Sequence, residues 1–184
     1  KASIEEYKTW KASIIYEAVT KGLDPTAEMK DSGVQWIGEI PKNWALCRLK
    51  NCYSQRDGGS WGDDAKGTES DRICLRIADF DYAKMSFKKD CNYTIRNYDS
   101  GTIEKLLLKN GDILIEKSGG GEKTPVGRAV IFDCEFPALF ANFMERLRCT
   151  VNIEPKFMVY VLFAFYANQG VRNYIKQTTG IQNL

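Results

Sequence analysis

The stretch LLLKNGDILIEKSGGGEKTPVGRAVIF, residues 106–132, carries the strongest indication of the fold. Its apolar segments at 112–116 and 126–132 predict two strands, and the polar, glycine-rich segment between them predicts the connection. Asn110-Gly111 predicts a turn directly before the first strand. The glycines followed by Lys123 and Thr124 are similar at first sight to a phosphate-binding loop.

A loop that binds ATP phosphates requires glycine directly before its lysine and a helix directly after it. Here Glu122 precedes Lys123, and the β-branched residues after Pro125 favour a strand over a helix. The pattern therefore argues against an ATP site. Two roles stay open for this loop: a flexible hairpin connection, or a loop whose backbone amides approach a polyanion beside basic side chains.

Composition sets the broad class. The chain has 184 residues, of which 43% are apolar, which suffices for one compact domain or for a domain with an appendage. Its formal net charge of +2 neither requires nor excludes nucleic acid. It contains no histidine, which removes the commonest general base and metal ligand.

The six cysteines include no C-x-x-C pair, so a structural zinc site is not indicated. Several lie in strand-like apolar runs, which favours reduced, buried thiols and a reducing compartment. No apolar run reaches the roughly 20 residues needed to span a bilayer, and no secretory signal pattern opens the sequence. We therefore expect a cytoplasmic protein without membrane association.

Apolar residues at three-, four- and seven-residue spacings predict a helix over 1–21, ended by Gly22 and Pro25. This helix is either a packing helix of the same domain or half of a coiled-coil seam. The other predicted elements are a strand entered at 46–53, a long loop at 54–72, a strand at 73–79, a short helix from Ser100 or Thr102 to Leu107, a strand within 140–151, a buried helix from Pro155 and a second helical piece at 171–177.

Several stretches together resemble one family. They are KDSGVQWIGEIPKNW (30–44), residues 106–132 and TTGIQNL (178–184), preceded by IIYEAVTKGLDP (14–25). Their order and separations resemble the target recognition domain of a type I restriction–modification specificity subunit. The resemblance implies an α+β (mixed α/β) fold over residues 23–184, with a curved, irregular β-sheet or partial barrel and packed helices. Residues 1–22 would be the C-terminal end of the family's conserved spacer helix.

Such a subunit usually carries two recognition domains and two long helices, so we expect this chain to be a fragment or a truncated product. The resemblance implies sequence-specific reading of one half of a bipartite site in double-stranded DNA, without catalysis. It implies docking to the modification (methyltransferase) subunit and, through the complex, to the restriction subunit. S-adenosylmethionine and ATP are expected only on those partners, and no cofactor on this chain. A homodimer through the helix is also open.

The residues themselves agree that catalysis is not indicated. The sequence lacks the Pro-Pro of an adenine methyltransferase motif, and Glu116 and Lys117 are adjacent where a common nuclease motif requires Glu-x-Lys. A metal cluster of Asp63, Asp64, Glu69 and Asp71 is conceivable, but a solvated acidic loop is the simpler interpretation, and we expect no metal. The alternative function is a protein–protein assembly domain without DNA readout of its own.

Candidate DNA-binding residues fall into four groups. Base readout is expected from the 54–72 loop and the strand after it, and contact with the DNA backbone from the glycine loop. The face of the 140–151 strand that carries Arg146 and Arg148 is either solvated or turned to a polyanion, and TTGIQNL is either near DNA or a hinge. The candidates are Gln55, Arg56, Ser60, Trp61, Lys66, Arg72, Arg76, Lys117, Ser118, Gly119, Gly120, Gly121, Lys123, Thr124, Arg128, Arg146, Thr178 and Thr179.

Overall fold

A computed structural model describes residues 2–89, 91–178 and 180–184. Its α-helices are α1 (Ala2–Lys21), α2 (Ser100–Leu106) and α3 (Pro155–Ala167). Its strands are β1 (Met29–Asp31), β2 (Glu39–Pro41), β3 (Tyr53–Gly58), β4 (Asp63–Asp64), β5 (Asp71–Leu75), β6 (Phe80–Asp81), β7 (Ser86–Phe87), β8 (Thr94–Asn97), β9 (Ile113–Glu116), β10 (Ser118–Gly119), β11 (Ala129–Ile131), β12 (Ala138–Phe140), β13 (Met144–Cys149), β14 (Lys176–Thr178) and β15 (Ile181–Asn183). Within the described ranges, no helix is long and apolar enough to cross a membrane.

Strand β9 is buried along its whole length, which explains its continuous apolar sequence. Ile113 and Ile115 belong to a core cluster beneath α3, whereas Leu114 between them belongs to a second, aromatic-rich cluster. Successive side chains of a strand point to opposite faces, so a strand between two cores shows no polar alternation. The strands predicted at 112–116 and 126–132 are confirmed as β9 and β11.

Two four-stranded sheets form most of the scaffold. The first has the order β11-β9-β13-β3 and is antiparallel throughout. The second has the order β12-β5-β8-β4, with one parallel pair between β12 and β5. The α+β class is confirmed. Among the described residues the sheets remain open, and none closes into a barrel.

Helix α3 covers the first sheet with Met158, Val159, Leu162 and Phe163. Its start is favoured by Pro155 at the first position and by the Glu154 side chain, which accepts a hydrogen bond from the Lys156 amide at 3.3 Å. Two tryptophans of the 30–44 segment pack on its outer side, with ring centroids 5.1 Å apart for Trp36–Phe165 and 6.2 Å for Trp44–Phe157.

Helix α1 has two different halves. Its C-terminal half packs on the domain, where Ala12 and Ile15 contact the cluster beneath α3 and Tyr16 donates to the Ile37 carbonyl at 3.0 Å. Residues 3–10 are exposed on all sides. Gly22 follows the helix with φ of +77°, the left-handed conformation common after a helix C-terminus. The predicted helix is confirmed, and its packing role holds for the second half.

Four predicted elements need correction. Residues 49–51 form a 3-10 turn, so the strand begins only at Tyr53, and two short strands precede it. Residues 54–58 of the predicted loop belong to strand β3, because this segment pairs with β13. Strand β5 ends at Leu75, where Arg76 and Asp79 cap a 3-10 turn at 77–79. The predicted helical piece at 171–177 is a 3-10 helix at 170–174 followed by β14.

Arg146 is fully buried on the central strand β13. Sequence analysis left two roles open for its strand face, solvation or contact with a polyanion, and both are wrong for Arg146. Its Nη2 atom lies 2.6 Å from Asp57 Oδ2 on β3 and 3.0 Å from the Lys105 carbonyl. Its Nη1 atom donates to the Leu107 carbonyl at 3.2 Å. The guanidinium thus joins the first sheet to the C-terminus of α2, where a cation is favourable.

We expect Asp57→Asn to lower the free energy of unfolding by about 3 kcal/mol, because removing one partner leaves a buried, uncompensated charge on Arg146. Urea unfolding followed by circular dichroism measures the change. The matched control is Glu28→Gln, whose Lys42 pair is exposed and should contribute less than about 1 kcal/mol. Equal effects of the two substitutions would show that the buried pair does not stabilise the fold.

Candidate nucleic-acid interface

The two candidate loops lie at the same end of the first sheet. Strands β3 and β9 both pair antiparallel with β13, so their C-terminal ends flank its N-terminus. Three connections meet there, and we call residues 58–62, 117–127 and 141–143 together the loop end. The opposite end of the sheet carries Tyr53, Asp112 and the exposed Val151. The topology therefore brings together segments that are far apart in sequence.

Lys117 links the parts of the loop end. Its amide donates to the Phe143 carbonyl at 2.9 Å, and its carbonyl accepts from the Leu184 amide at 2.9 Å. Its ammonium lies over Gly58 at the end of β3, since a Cβ atom at Gly58 would be 3.2 Å from Lys117 Nζ. No ion pair involves Lys117 or Lys123 within the described part of the chain. Both cations are therefore available to a ligand.

The glycine loop is hydrogen-bonded to the C-terminal hairpin. Strand β10 pairs with β15, and Ser118 Oγ lies 2.7 Å from Asn183 Oδ1. The Val126 amide donates to the buried Gln182 side chain at 3.2 Å, and the Gly121 amide donates to the Thr124 carbonyl at 3.0 Å. Gly120 has φ of +57°, and a Cβ there would lie 2.8 Å from the Val126 nitrogen. The loop is thus a folded, anchored turn, and Glu122, Lys123 and Thr124 form its exposed tip.

The backbone of the 59–62 segment is also anchored by hydrogen bonds. The Gly59 and Ser60 amides donate to the Met144 and Phe140 carbonyls at 3.1 and 2.9 Å. A Cβ on Gly59 would lie 2.3 Å from the Ala141 carbonyl oxygen, so only glycine fits without movement of the backbone. Trp61 nevertheless remains 41% exposed.

Each of the acidic residues that follow this segment has its own partner within the protein. Asp63 pairs with Lys66 at 3.5 Å, and Asp64 pairs with Arg96. Asp71 accepts from the Asn97 amide group at 2.7 Å and from the Lys66 and Gly67 amides, and these hydrogen bonds hold its pKa below the usual range. Among the described residues, no group of three or more potential ligands could hold a metal ion.

Most candidate arginines are bound to carboxylates of the protein itself. Arg128 Nε lies 2.8 Å from Oε2 of the buried Glu116. Burial by itself would lower the pKa of Arg128, but the hydrogen bond to the Glu116 carboxylate raises the pKa above its usual value. Arg76 is held by Asp79, whose hydrogen bond also raises the pKa of Arg76. The guanidinium of the candidate Arg128 is thus bound to Glu116.

Other candidates are also engaged. Gln55 Oε1 accepts from Arg148 at 2.7 Å, while two further nitrogens of that guanidinium bind Asp112, which raises the pKa of Arg148. Arg72 donates to the Asp71 and Glu69 carbonyls. Arg56 pairs with Glu145 at 2.7 Å, although 64% of its side chain is exposed. Gln55 and Arg56 lie on β3 and Arg72 lies on β5, outside the three connections of the loop end.

The C-terminal candidates lie beside the glycine loop. Thr178 ends β14, whose partner β15 also pairs with β10. Thr179 lies outside the described residues. Lys176 is exposed and in register with Asn183, which is in turn in register with Ser118. Within TTGIQNL, Thr178 is thus the last residue of β14 and Ile181–Asn183 forms β15 of the same three-stranded sheet.

Sequence reasoning missed two residues at this site, Phe143 and Arg96, whereas Asn183 belongs to the TTGIQNL segment that was predicted to lie near DNA or in a hinge. Phe143 is 48% exposed in the turn between β12 and β13, Arg96 lies over the Trp61 ring, and Asn183 binds Ser118. The Asn142-Phe143 pair could have indicated an exposed turn, because it interrupts two apolar strands. Arg96 gave no such indication, since its position depends on strand pairings between segments remote in sequence.

Comparison with known proteins agrees with the resemblance carried by the motifs. The chain is 25% identical over 166 residues to the "Type I restriction enzyme MjaVIII specificity subunit" of Methanocaldococcus jannaschii, an alignment that covers 89% of this chain and 37% of that protein. The crystal structure of the HsdS subunit from Thermoanaerobacter tengcongensis superimposes with a TM-score of 0.50 at 14% identity, covering 99% of this chain and 40% of that one. No protein-family model matches the chain.

The resemblance to type I restriction–modification specificity subunits is therefore confirmed, by sequence in the first comparison and by fold in the second. The chain spans about two fifths of the length of either protein.

We expect Gly59→Ala to destabilise the domain by about 1–3 kcal/mol, because the added Cβ would collide with the Ala141 carbonyl and displace the loop from β12. Thermal or urea unfolding measures the decrease. Gly121→Ala is the matched control, since nothing lies within 4 Å of its added Cβ. Wild-type stability of the Gly59 variant would contradict the close approach of the two segments.

Proposed function

We propose that this chain is a DNA-recognition module that reads one half of a bipartite double-stranded target for a type I restriction–modification complex. The observation that carries the proposal is the convergence of the glycine loop and the 59–62 segment at the loop end. Loops held on a rigid sheet are a common way to position binding residues. The sequence and fold similarity to specificity subunits supports the same function.

The loop end offers the two kinds of contact that DNA recognition needs. Lys117 and Lys123 are suited to phosphates, and the bare backbone at Gly119–Gly121 allows close approach to the DNA backbone. Ser118, Thr124 and Trp61 add hydrogen-bonding and apolar groups within these loops, and Asn183 lies beside Ser118 on β15. Gln55, Arg76, Arg128 and Arg146 serve the scaffold in this proposal, because their side chains are bound to other residues of the chain.

In this proposal the chain performs no catalysis and binds no cofactor. S-adenosylmethionine would bind to the modification subunit and ATP to the restriction subunit, which joins through the complex. The site of action would be the cytoplasm, where cellular DNA is methylated. The chain contributes the choice of sequence, and its partners contribute the chemistry.

Selection from a randomised duplex library at moderate salt, with and without a modification subunit, tests the proposal. Enrichment of a short motif would identify the half-site. Enrichment only with the partner would show that the domain needs the complex for affinity. If a folded protein enriches nothing in either arm, the DNA-reading function is wrong and the assembly function below is favoured.

We expect Lys117→Ala combined with Lys123→Ala to weaken binding to all duplexes similarly. The slope of log K against log salt should become less steep by about one unit for each phosphate that the variant no longer binds. Fluorescence anisotropy across a salt series measures both quantities. The control is Lys8→Ala combined with Lys21→Ala on α1, remote from the loop end. An unchanged slope in the first variant would exclude phosphate binding by these lysines.

A second candidate function is protein assembly through α1, which a separate observation favours. Ile4, Tyr7, Trp10 and Ile14 form an exposed apolar strip, and each of these residues is 46–62% exposed. The strip continues into a groove of about 910 Å³ between α1 and α3 that Trp44, Phe157 and Tyr160 also line. We propose that this surface binds a modification subunit or the α1 helix of a second copy of the chain.

We expect Trp10→Glu to abolish association through α1 without unfolding the domain, because Trp10 is 62% exposed. Sedimentation velocity, with and without the modification subunit, measures association. Tyr174→Glu is the control, since Tyr174 is 65% exposed on a different surface. If the Trp10 variant associates like the wild type, the apolar strip is not the interface.

A further inference from the structure

We propose that Trp61 is a preformed aromatic contact for the bases of duplex DNA and that Arg96 is the residue that positions it. The inference rests on the proposed DNA-reading function and gives that site a recognition mode. Trp61 would act by apolar and stacking contact, whereas the lysines of the loop end act through charge. The observations that carry it are the clamped backbone around Trp61 and the asymmetric environment of its ring.

The backbone around Trp61 is fixed on both sides while its side chain stays accessible. Before it, the Gly59 amide is hydrogen-bonded to β13 of the first sheet and the Ser60 amide to β12 of the second, and Tyr98 Oη donates to the Ser60 carbonyl at 3.2 Å. After it, Gly62 adopts φ of +67°, and a Cβ there would lie 2.7 Å from the Asn97 carbonyl oxygen. A loop held in this way loses little conformational freedom when a ligand binds its side chain.

Arg96 completes the clamp from strand β8. Its Nε and Nη2 atoms donate to the Trp61 and Gly62 carbonyls at 3.1 and 3.0 Å. Its guanidinium carbon lies 4.8 Å from the centroid of the Trp61 ring, within the range of a cation–π contact. One face of the indole is therefore covered by Arg96, and the remaining exposed part of the ring is open to a ligand.

The charge of Arg96 is already used within the protein. Its Nη1 atom is paired with Asp64, and only 15% of the Arg96 side chain is exposed, against 96% for Asp64. A phosphate approaching this pair would meet the carboxylate first. Arg96 is therefore a positioning residue, and the neighbouring Trp61 ring is the surface that contacts DNA.

Aromatic rings bind nucleic acid by stacking on bases or by wedging between base steps, and neither contact depends on salt as a phosphate contact does. Removal of the ring should therefore lower affinity and leave the salt slope unchanged. This combination distinguishes Trp61 and Arg96 from Lys117, whose removal should change the slope. It also distinguishes a binding role from simple loop packing, which would change stability alone.

The test measures duplex binding across a salt series, with a modification subunit present if the wild type requires it. The variants are Trp61→Leu, Trp61→Phe, Arg96→Met and the double variant Trp61→Leu/Arg96→Met, and Ile95→Ala is the control on the exposed neighbour of Arg96. Urea unfolding confirms that each protein is folded. Trp61→Leu retains apolar bulk, so it keeps the test informative where a smaller residue would disrupt the loop.

We expect Trp61→Leu and Arg96→Met each to weaken binding by about tenfold, the scale of one base–aromatic stack, with unchanged salt slope. The double variant should be no weaker than Trp61→Leu, because both substitutions remove the same contact. Trp61→Phe should recover most of the affinity, and Ile95→Ala should bind like the wild type.

Three results would overturn the inference. If the wild type binds duplex DNA and Trp61→Leu binds equally well with the same preferred motif, Trp61 is not a DNA contact, while the proposed function stands. If Arg96→Met reduces the salt slope by about one unit, Arg96 is itself a phosphate ligand and its positioning role is wrong. If the wild type binds no duplex in either arm, the proposed function fails and the inference fails with it.

Discussion

The burial of strand β9 on both faces is the constraint on which the rest of the structure depends. Ile113 and Ile115 face the cluster beneath α3, while Leu114 faces the aromatic cluster of the second sheet. A strand that is buried on both faces needs another element packed on each face. Helix α3 packs on one face of β9, and the β12-β5-β8-β4 sheet packs on the other. Burial of this kind also requires that every charged group on the same strands has a partner, since an unpaired buried charge is strongly unfavourable.

Three ion pairs meet this requirement. Arg128 binds Glu116, Arg148 binds Asp112, and Arg146 binds Asp57. In each pair at least one side chain is almost completely buried. The pairs fix the relative positions of β3, β9, β11 and β13. They also bind the guanidinium groups of Arg128, Arg146 and Arg148 to carboxylates of the protein itself. In the proposed function, recognition therefore falls to the loops at one end of the sheet.

The sequence was sufficient to predict the helix of residues 1–21, the strands β9 and β11, and the helix that begins at Pro155, because periodicity and local turn residues determine these elements. It was not sufficient for residues 54–58, whose polar, glycine-containing sequence is typical of a loop but pairs with β13. Arg146 was misplaced for a related reason. A strand with arginines at alternate positions is expected from its sequence to be solvated on that face. Here Asp57 and the C-terminus of α2, which are remote in sequence, enclose Arg146. At the candidate site, Lys117, Gly120 and Gly121 lie in the predicted connection between β9 and β11, but Ser118 and Gly119 form the short strand β10 within it. The position of Arg96 depended on long-range pairing.

The central claim is that duplex DNA binds at the loop end of the first sheet. Photocrosslinking tests it most directly, with a benzophenone amino acid placed at position 143 in one protein and at position 151 in another. Both positions are exposed, Phe143 at the loop end and Val151 at the opposite end. Our interpretation predicts that position 143 crosslinks to a bound duplex and position 151 does not. Crosslinking from position 151 alone would contradict it and place the DNA at the other end of the sheet.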